Sequence, residues 1–339
     1  MSTVLVLGGY GVIGSHVTER LRRGGDRVIV AGRDGARAGR TVDLAERGLW
    51  SYRAALSGVD TVVNTSGAED PRLAEIAGRH GAAFLDLTSN PSYIAALERA
   101  DTARPVLVSV GLAPGLTNLL AAAVHEAEPG PVDLGILLGA GEQYGYAAKD
   151  WLYGLFGTDF HAGGERIRNF TRPEVFHVPG HGRRRLYRLD LSDQHVLSGD
   201  LGTPVRTYLG MSSRLVTALF ATLTRLPGGS RLPRRIGLRG SEHWAVLARG
   251  RRGAARLAYG ENHSHGTAVV TAAAVRAAGQ LPPGTHHLHR VLRLDDLPTG
   301  QGITLTDPTT GGDRGTALSV GPASGPEAPG HPAPRHLGG

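Results

Sequence analysis

Residues 3–14 read TVLVLGGYGVIG. An apolar run ends in Gly8, Gly9, Gly11 and Gly14, and the next apolar residues, Val12, Ile13, Val17 and Leu21, recur at helical spacing until Gly24 and Gly25. The pattern is a buried strand, a tight turn and an amphipathic helix. Counted from Gly9 the glycines satisfy G-x-G-x-x-G, and counted from Gly8 they satisfy G-x-x-G-x-x-G. With 50 glycines in the chain the spacing alone says little; its place between a strand and a helix is what gives it meaning. Amides in a first helical turn have no intrahelical acceptor, and the helix end is positive. The stretch therefore predicts a diphosphate held at Gly8, Gly9, Tyr10, Gly11, Val12, Ile13 and Gly14.

Further along, short runs at 27–31, 40–44, 59–64, 82–87 and 106–110 are apolar and mostly β-branched, as strands buried on both faces are. Segments of helical spacing separate most of them. Strict alternation of this kind predicts right-handed crossovers and a doubly wound parallel sheet, the Rossmann arrangement, over residues 1–125. After Pro129-Gly130-Pro131 the alternation stops. A strand at 132–138, helices at 146–156 and 214–226, and a hairpin of 243–249 and 254–259 about Gly250-Arg251-Arg252-Gly253 predict a second, α+β domain over 126–265 for substrate binding and dimerisation. A helix at 267–278 is expected to bring residues 266–306 back onto the first domain. The apolar-poor stretch 308–339 is expected to be disordered.

The end of the second predicted strand sets which dinucleotide fits. An acidic side chain there would bond a ribose 2′-hydroxyl, whereas Arg accommodates a 2′-phosphate. The chain reads Gly32-Arg33-Asp34, with Arg first, which favours NADP over NAD. Asp43 and Leu44 follow the third strand, where the adenine would lie. Thr65, Ser66 and Gly67 follow the fourth, at the crevice where strand order reverses, and either face the nicotinamide ribose or serve as turn residues.

Composition narrows the partners. The formal charge is +7, but 36 of the 37 basic residues are Arg, and clusters such as 183–185 lack the interleaved aromatics of single-strand binders, so nucleic acid is not expected. No apolar run is long enough for a membrane span and no leader-like segment precedes the first strand, which makes a cytoplasmic chain acting on a small molecule the expectation. With no cysteine and no helical His-x-x-x-His pair beside a carboxylate, no metal site is expected. No G-x-S-x-G elbow offers a serine nucleophile.

The glycine loop, the Asp-Thr-Val-Val-Asn strand at 60–64, Phe84-Leu85-Asp86-Leu87-Thr88, and the corner Gly111-Leu112-Ala113-Pro114-Gly115-Leu116-Thr117-Asn118, in that order, resemble the saccharopine dehydrogenase-like oxidoreductases. The likeness spans about residues 3–160. It implies an NAD(P)-dependent oxidoreductase that reduces or forms a C=N or C=O bond, with the corner at the nicotinamide end of the cleft and Pro114 and Gly115 against the substrate. Family members act on amino acids, but no carboxylate-gripping residues can be matched here, so the substrate does not carry over.

For the proton that accompanies hydride transfer, the segment 139–151 holds the only lysine of the chain, Lys149, with Tyr144 and Tyr146. Lys149 and Tyr144 are candidate proton donors, each also readable as an ordinary helix or packing residue, and Tyr146 is a candidate substrate contact. Asp86, at the carboxyl end of the fifth strand, is a third catalytic candidate, or else a cap for the next helix. Two other readings stay open: an enzyme that uses bound NAD(P) without net redox change, and a dinucleotide sensor that catalyses nothing. A homodimer is the expected assembly.

Overall fold

The structure is a computed structural model that describes residues 2–141, 145–226, 240–298 and 300–308. Its first half is a parallel sheet. The strands are β1 (Thr3–Leu7), β2 (Arg27–Gly32), β3 (Arg40–Thr41), β4 (Thr61–Asn64), β5 (Ala83–Asp86) and β6 (Pro105–Val108), crossed by helices α1 (Val12–Arg23), α2 (Trp50–Ala54), α3 (Arg72–Arg79) and α4 (Pro91–Arg99). With β15 (Gly284–His287) from far along the chain, they line up in the order β15-β6-β5-β4-β1-β2-β3, every neighbouring pair parallel. Strand order reverses beside β1, as a doubly wound sheet requires.

Alternation along each strand feeds two cores. Leu5, Leu7, Val62 and Phe84 pack with Tyr52, Leu73 and Ile76 on one face, while Val4, Val6, Val63 and Leu85 join the larger core on the other. The third strand is shorter than its 40–44 sequence pattern. Asp43 Oδ1 accepts the Ala45 amide at 3.0 Å, and this side-chain turn competes with sheet pairing.

After α5 (Leu116–Ala127) comes a mixed sheet. Its strands are β7 (Val132–Leu138), β10 (Thr171–Val178), β11 (Gly182–Arg188), β12 (Val205–Met211), β13 (His243–Arg249), β14 (Ala255–Glu261) and β16 (Thr304–Thr306), in the order β10-β11-β12-β7-β13-β14-β16. Only β12 and β7 pair in parallel; the other neighbours are antiparallel. A separate hairpin joins β8 (Asp159–Ala162) to β9 (Glu165–Arg168). Helices α6 (Tyr146–Gly154), α7 (Ser192–Asp200) and α8 (Arg214–Leu223) complete this part.

Helix α9 (His263–Ala278) then returns to pack on α1 and on the first sheet. It begins four residues before the stretch its apolar pattern marks, because Asn262 caps it by accepting the amides of Ser264 and His265 at 3.1 and 3.2 Å. Strand β15 follows, anchored by a hydrogen bond of 2.8 Å between His287 Nε2 and Glu98 and by Thr285 Oγ1 donating to the Leu97 carbonyl at 2.9 Å. The segment 266–306 is thus divided: α9 and β15 lie on the first sheet, and β16 pairs with β14 in the second. From residue 309 onward the stretch 308–339 lies outside the described residues. Among the described residues no helix is long and apolar enough to cross a membrane.

Candidate active site

The loop after β1 is built by close approach. Gly8 has φ +74°, and a Cβ there would stand 2.9 Å from Ser66 Cα. A Cβ on Gly14 would stand 2.1 Å from the Gly8 carbonyl oxygen and 2.6 Å from Thr65 Oγ1, so only glycine lets α1 start this close to the ends of β1 and β4. Thr65 Oγ1 fixes the junction by donating to the Leu7 carbonyl at 2.7 Å. The α1 N-cap is Gly11, with no side-chain cap and no acidic residue in the first turn. The first-turn amides thus meet no side-chain cap and no carboxylate from their own turn, and the cradle fits the diphosphate of a dinucleotide.

Tyr10 lies against the end of β2. A Cβ on Gly32 would meet its hydroxyl at 2.5 Å, the Asp34 amide donates to that hydroxyl at 3.0 Å, and the Arg37 guanidinium stands 4.5 Å from the ring centre. Asp34 Oδ1 is taken by the Ala36 amide at 3.0 Å, while Arg33 extends into solvent beside it. Asp43 and Leu44 sit half-buried just past β3.

At the ends of β4 and β5 the polar groups form a network. Asn64 Nδ2 donates to Asp86 Oδ2 at 2.7 Å and to the Ala68 carbonyl at 2.9 Å, while Asn64 Oδ1 accepts from Ser66 Oγ at 2.6 Å. Asp86 also accepts from the Tyr93 hydroxyl at 3.2 Å and the Thr88 amide at 2.8 Å. Burial pushes its carboxyl up to about 6, against the opposing pull of these donors. Glu69 stands close by, accepting from Thr88 Oγ1 at 2.8 Å and Asn90 Nδ2 at 2.6 Å.

The corner after β6 is a backbone knot. The Ala113–Pro114 peptide is cis, Gly115 has φ +138°, and the Gly111 amide donates to the Pro114 carbonyl at 3.0 Å. A Cβ on Gly115 would fall 1.9 Å from the Gly111 carbonyl oxygen. Asn118 Oδ1 accepts the Gly115 amide at 2.9 Å, which ties the knot to α5.

Of these pieces, the start of α1, the ends of β4 and β5 and the corner after β6 line one cavity of about 420 Å³ between the two sheets, while Gly8 to Gly11, Arg33, Asp34, Asp43, Leu44 and Ser66 are not among its lining residues. Ile13, Thr65, Gly67, Asp86 and Lys149, all singled out from the sequence, line it together. Pro114 and Gly115 are buried behind the lining residues Gly111, Leu112 and Ala113. Tyr146 is the first residue of α6, and Tyr144 lies outside the described residues. The second domain supplies walls that the sequence did not flag: Trp151 and Leu152 of α6, Leu209 and Met211 of β12, Phe220 of α8. Glu69 and Thr88 were missed as well, although both follow the ends of strands that had been recognised, which is where open α/β sheets bind ligands.

Among solved structures the chain is similar to apo saccharopine dehydrogenase (L-Glu forming) from Saccharomyces cerevisiae, with a TM-score of 0.59 at 12% identity, covering 90% of this chain and 99% of that one. The chain has the saccharopine dehydrogenase fold. A meso-DAPDH mutant with DAP from Clostridium tetani E88 aligns with a TM-score of 0.48 at 14% identity, over 88% of this chain and 97% of that one. A sequence model of the NAD dependent epimerase/dehydratase family matches residues 4–79, the part that holds the glycine loop. No curated protein matches the chain in sequence. Within the saccharopine dehydrogenase fold, the cavity is the gap between the Rossmann sheet and the mixed sheet.

Proposed function

We propose that the chain is an NADP-dependent oxidoreductase that reduces a C=O or C=N bond, or runs the reverse oxidation, in the cavity between its two sheets. The observation that carries this is the meeting in one cavity of Ile13, from the start of α1, with the buried carboxyl of Asp86. The glycine loop would hold the diphosphate, Arg33 the 2′-phosphate, and Thr65 to Gly67 the nicotinamide ribose. The bound cofactor supplies hydride chemistry. Asp86 handles the proton: in the reducing direction its carboxylic acid gives a proton to the substrate oxygen or nitrogen, and in the oxidising direction its carboxylate takes one back. Asn64 and Tyr93 orient it by donating to Oδ2, and the apolar walls exclude water from the reacting atoms. Lys149, which lines the cavity from the opposite wall, would contact the substrate's polar atom.

The match of residues 4–79 to an epimerase/dehydratase family supports a second reading, in which bound NAD(P) is used without net redox change. The test is a titration with NADPH and NADH followed by turnover with candidate ketones and imines. One NADPH consumed per product supports the reductase. Turnover with no net loss of NADPH supports the second reading, and failure of both coenzymes to bind overturns both. Arg33→Glu should weaken NADPH by about tenfold to a hundredfold, the loss expected for one charge-assisted contact, and NADH far less. Equal losses would remove Arg33 from the site.

A further inference from the structure

We infer that the substrate carries its reactive carbonyl or imine on an apolar body and bears no carboxylate of its own. This deepens the proposed oxidoreductase reading and rests on it. The cavity has two chemically distinct walls. The one formed by the ends of β4 and β5 presents Asn64, Thr65, Glu69, Asp86 and Thr88. Both of its ionisable groups are acidic, so this wall offers an anionic substrate no cation where hydride must be delivered.

The facing wall is apolar apart from Lys149 of α6, and four elements build it: Leu138 from β7, Trp151 and Leu152 from α6, Leu209 and Met211 from β12, and Phe220 from α8. Leu138 and Met211 are register partners on neighbouring parallel strands, and Leu209 lies two residues before Met211, so the three share one face of the sheet. Phe220 is held by edge contacts with Phe156 and Phe170, at 5.3 and 5.7 Å between ring centres. A wall that depends on two strands and two helices is a formed apolar surface rather than the flank of one amphipathic helix. A carboxylate pressed against it would lose hydration with Lys149 as its one cationic neighbour, set across from the acidic Glu69 and Asp86, whereas an alkyl or aryl group would gain from leaving water. The polar end of such a substrate points to Asp86 and Thr88, and Lys149 offers one contact to its carbonyl oxygen or imine nitrogen.

The experiment follows ligand binding by intrinsic tryptophan fluorescence, Trp151 being the tryptophan that lines the cavity, with calorimetry as a second readout, for straight-chain methyl ketones of increasing length and for the keto acids of matching length. Binding is measured with and without NADPH. Ketone affinity should rise by about fourfold per added methylene until the cavity is full, as transfer of a methylene from water predicts. The keto acids should bind at least about tenfold more weakly. Ala148→Arg places a cation on the half-buried cavity face of α6 without disturbing the core, and it should bring the keto acids to or above the ketones. Phe220→Asp should flatten the chain-length series; if that variant fails to fold, Ala148→Arg still decides. Keto acids that bind as tightly as ketones in the unaltered protein, or affinity indifferent to chain length, would overturn the inference. Ketones that bind with the methylene increment but are never reduced would leave the apolar site standing and refute the oxidoreductase reading. Reduction confined to keto acids would do the opposite.

Discussion

At Asp86 the structure turns a strand-end acid into a group that can hold or release a proton near neutrality. Burial raises its carboxyl from 3.8 to about 6, although three donors favour the charged form. Below about 3.8 the carboxyl is neutral in folded and unfolded chains alike, and its contribution to stability is fully present. Between that value and about 6 the folded chain holds the proton more firmly, so this contribution is lost as the pH rises through 6. The two-unit displacement corresponds to a loss on the order of 3 kcal/mol. Asp86→Asn should therefore flatten the pH dependence of denaturant stability across this window. In the reducing direction kcat/KM should fall as the pH rises through about 6, and in the oxidising direction it should rise. A profile unchanged in Asp86→Asn would assign the proton to another group. The residue was visible in the sequence as the last position of a strand, but its burial was not. That depends on Asn64 and Tyr93, which are 22 and 7 residues away.

Among the elements, α9 packs against strands of both sheets, and its start is set by Asn262, which adopts φ 55° and caps two amides. Asn262→Ala should lower stability by about 1 kcal/mol, the usual worth of such a cap, read as a shift of the urea midpoint at unchanged slope. An unchanged midpoint would mean that packing alone sets where the helix begins. This helix also shows where sequence reading falls short: His263-Ser264-His265-Gly266 carries no apolar pattern, so the first turn was invisible until its cap was seen. The strands β1, β4, β5 and β6 were legible because they are buried on both faces and therefore continuously apolar, and β2, only half-buried, was legible from its β-branched run of Val28, Ile29 and Val30. Strand β11, Gly-Arg-Arg-Arg-Leu-Tyr-Arg, was not. It lies near the sheet's edge, with exposed Arg183 and Arg185 ahead of its one buried apolar side chain, Leu186, and Arg188 is buried by Phe160 and Tyr208 through cation–ring contacts of 5.5 Å. Charged edges of this kind guard against unwanted pairing and erase the alternation by which strands are read.

For the molecule as a whole, the larger core runs without a break from Val4 and Val6 of the first sheet through Leu120 of α5 and Val270 of α9 to Leu209 and Val246 of the second. One core predicts one transition. Calorimetry should show a single unfolding step whose calorimetric and van't Hoff enthalpies agree, and two resolved steps would mean that the halves fold independently. The glycine half of the candidate site could be read from sequence because it is local, one loop and one helix start. The apolar half could not, because Leu138, Trp151, Met211 and Phe220 converge only when β7, α6, β12 and α8 are in place. The placement of β15 also bears on how the protein is made. The first six strands leave the ribosome well before residues 284–287, so the backbone of β6 emerges as an open border of the N-terminal sheet. While translation continues, that border is a template on which another unfinished chain could pair. Any stop after α9 and before Gly284 would make the exposure permanent, so premature termination there threatens the solubility of a domain whose own sequence is intact.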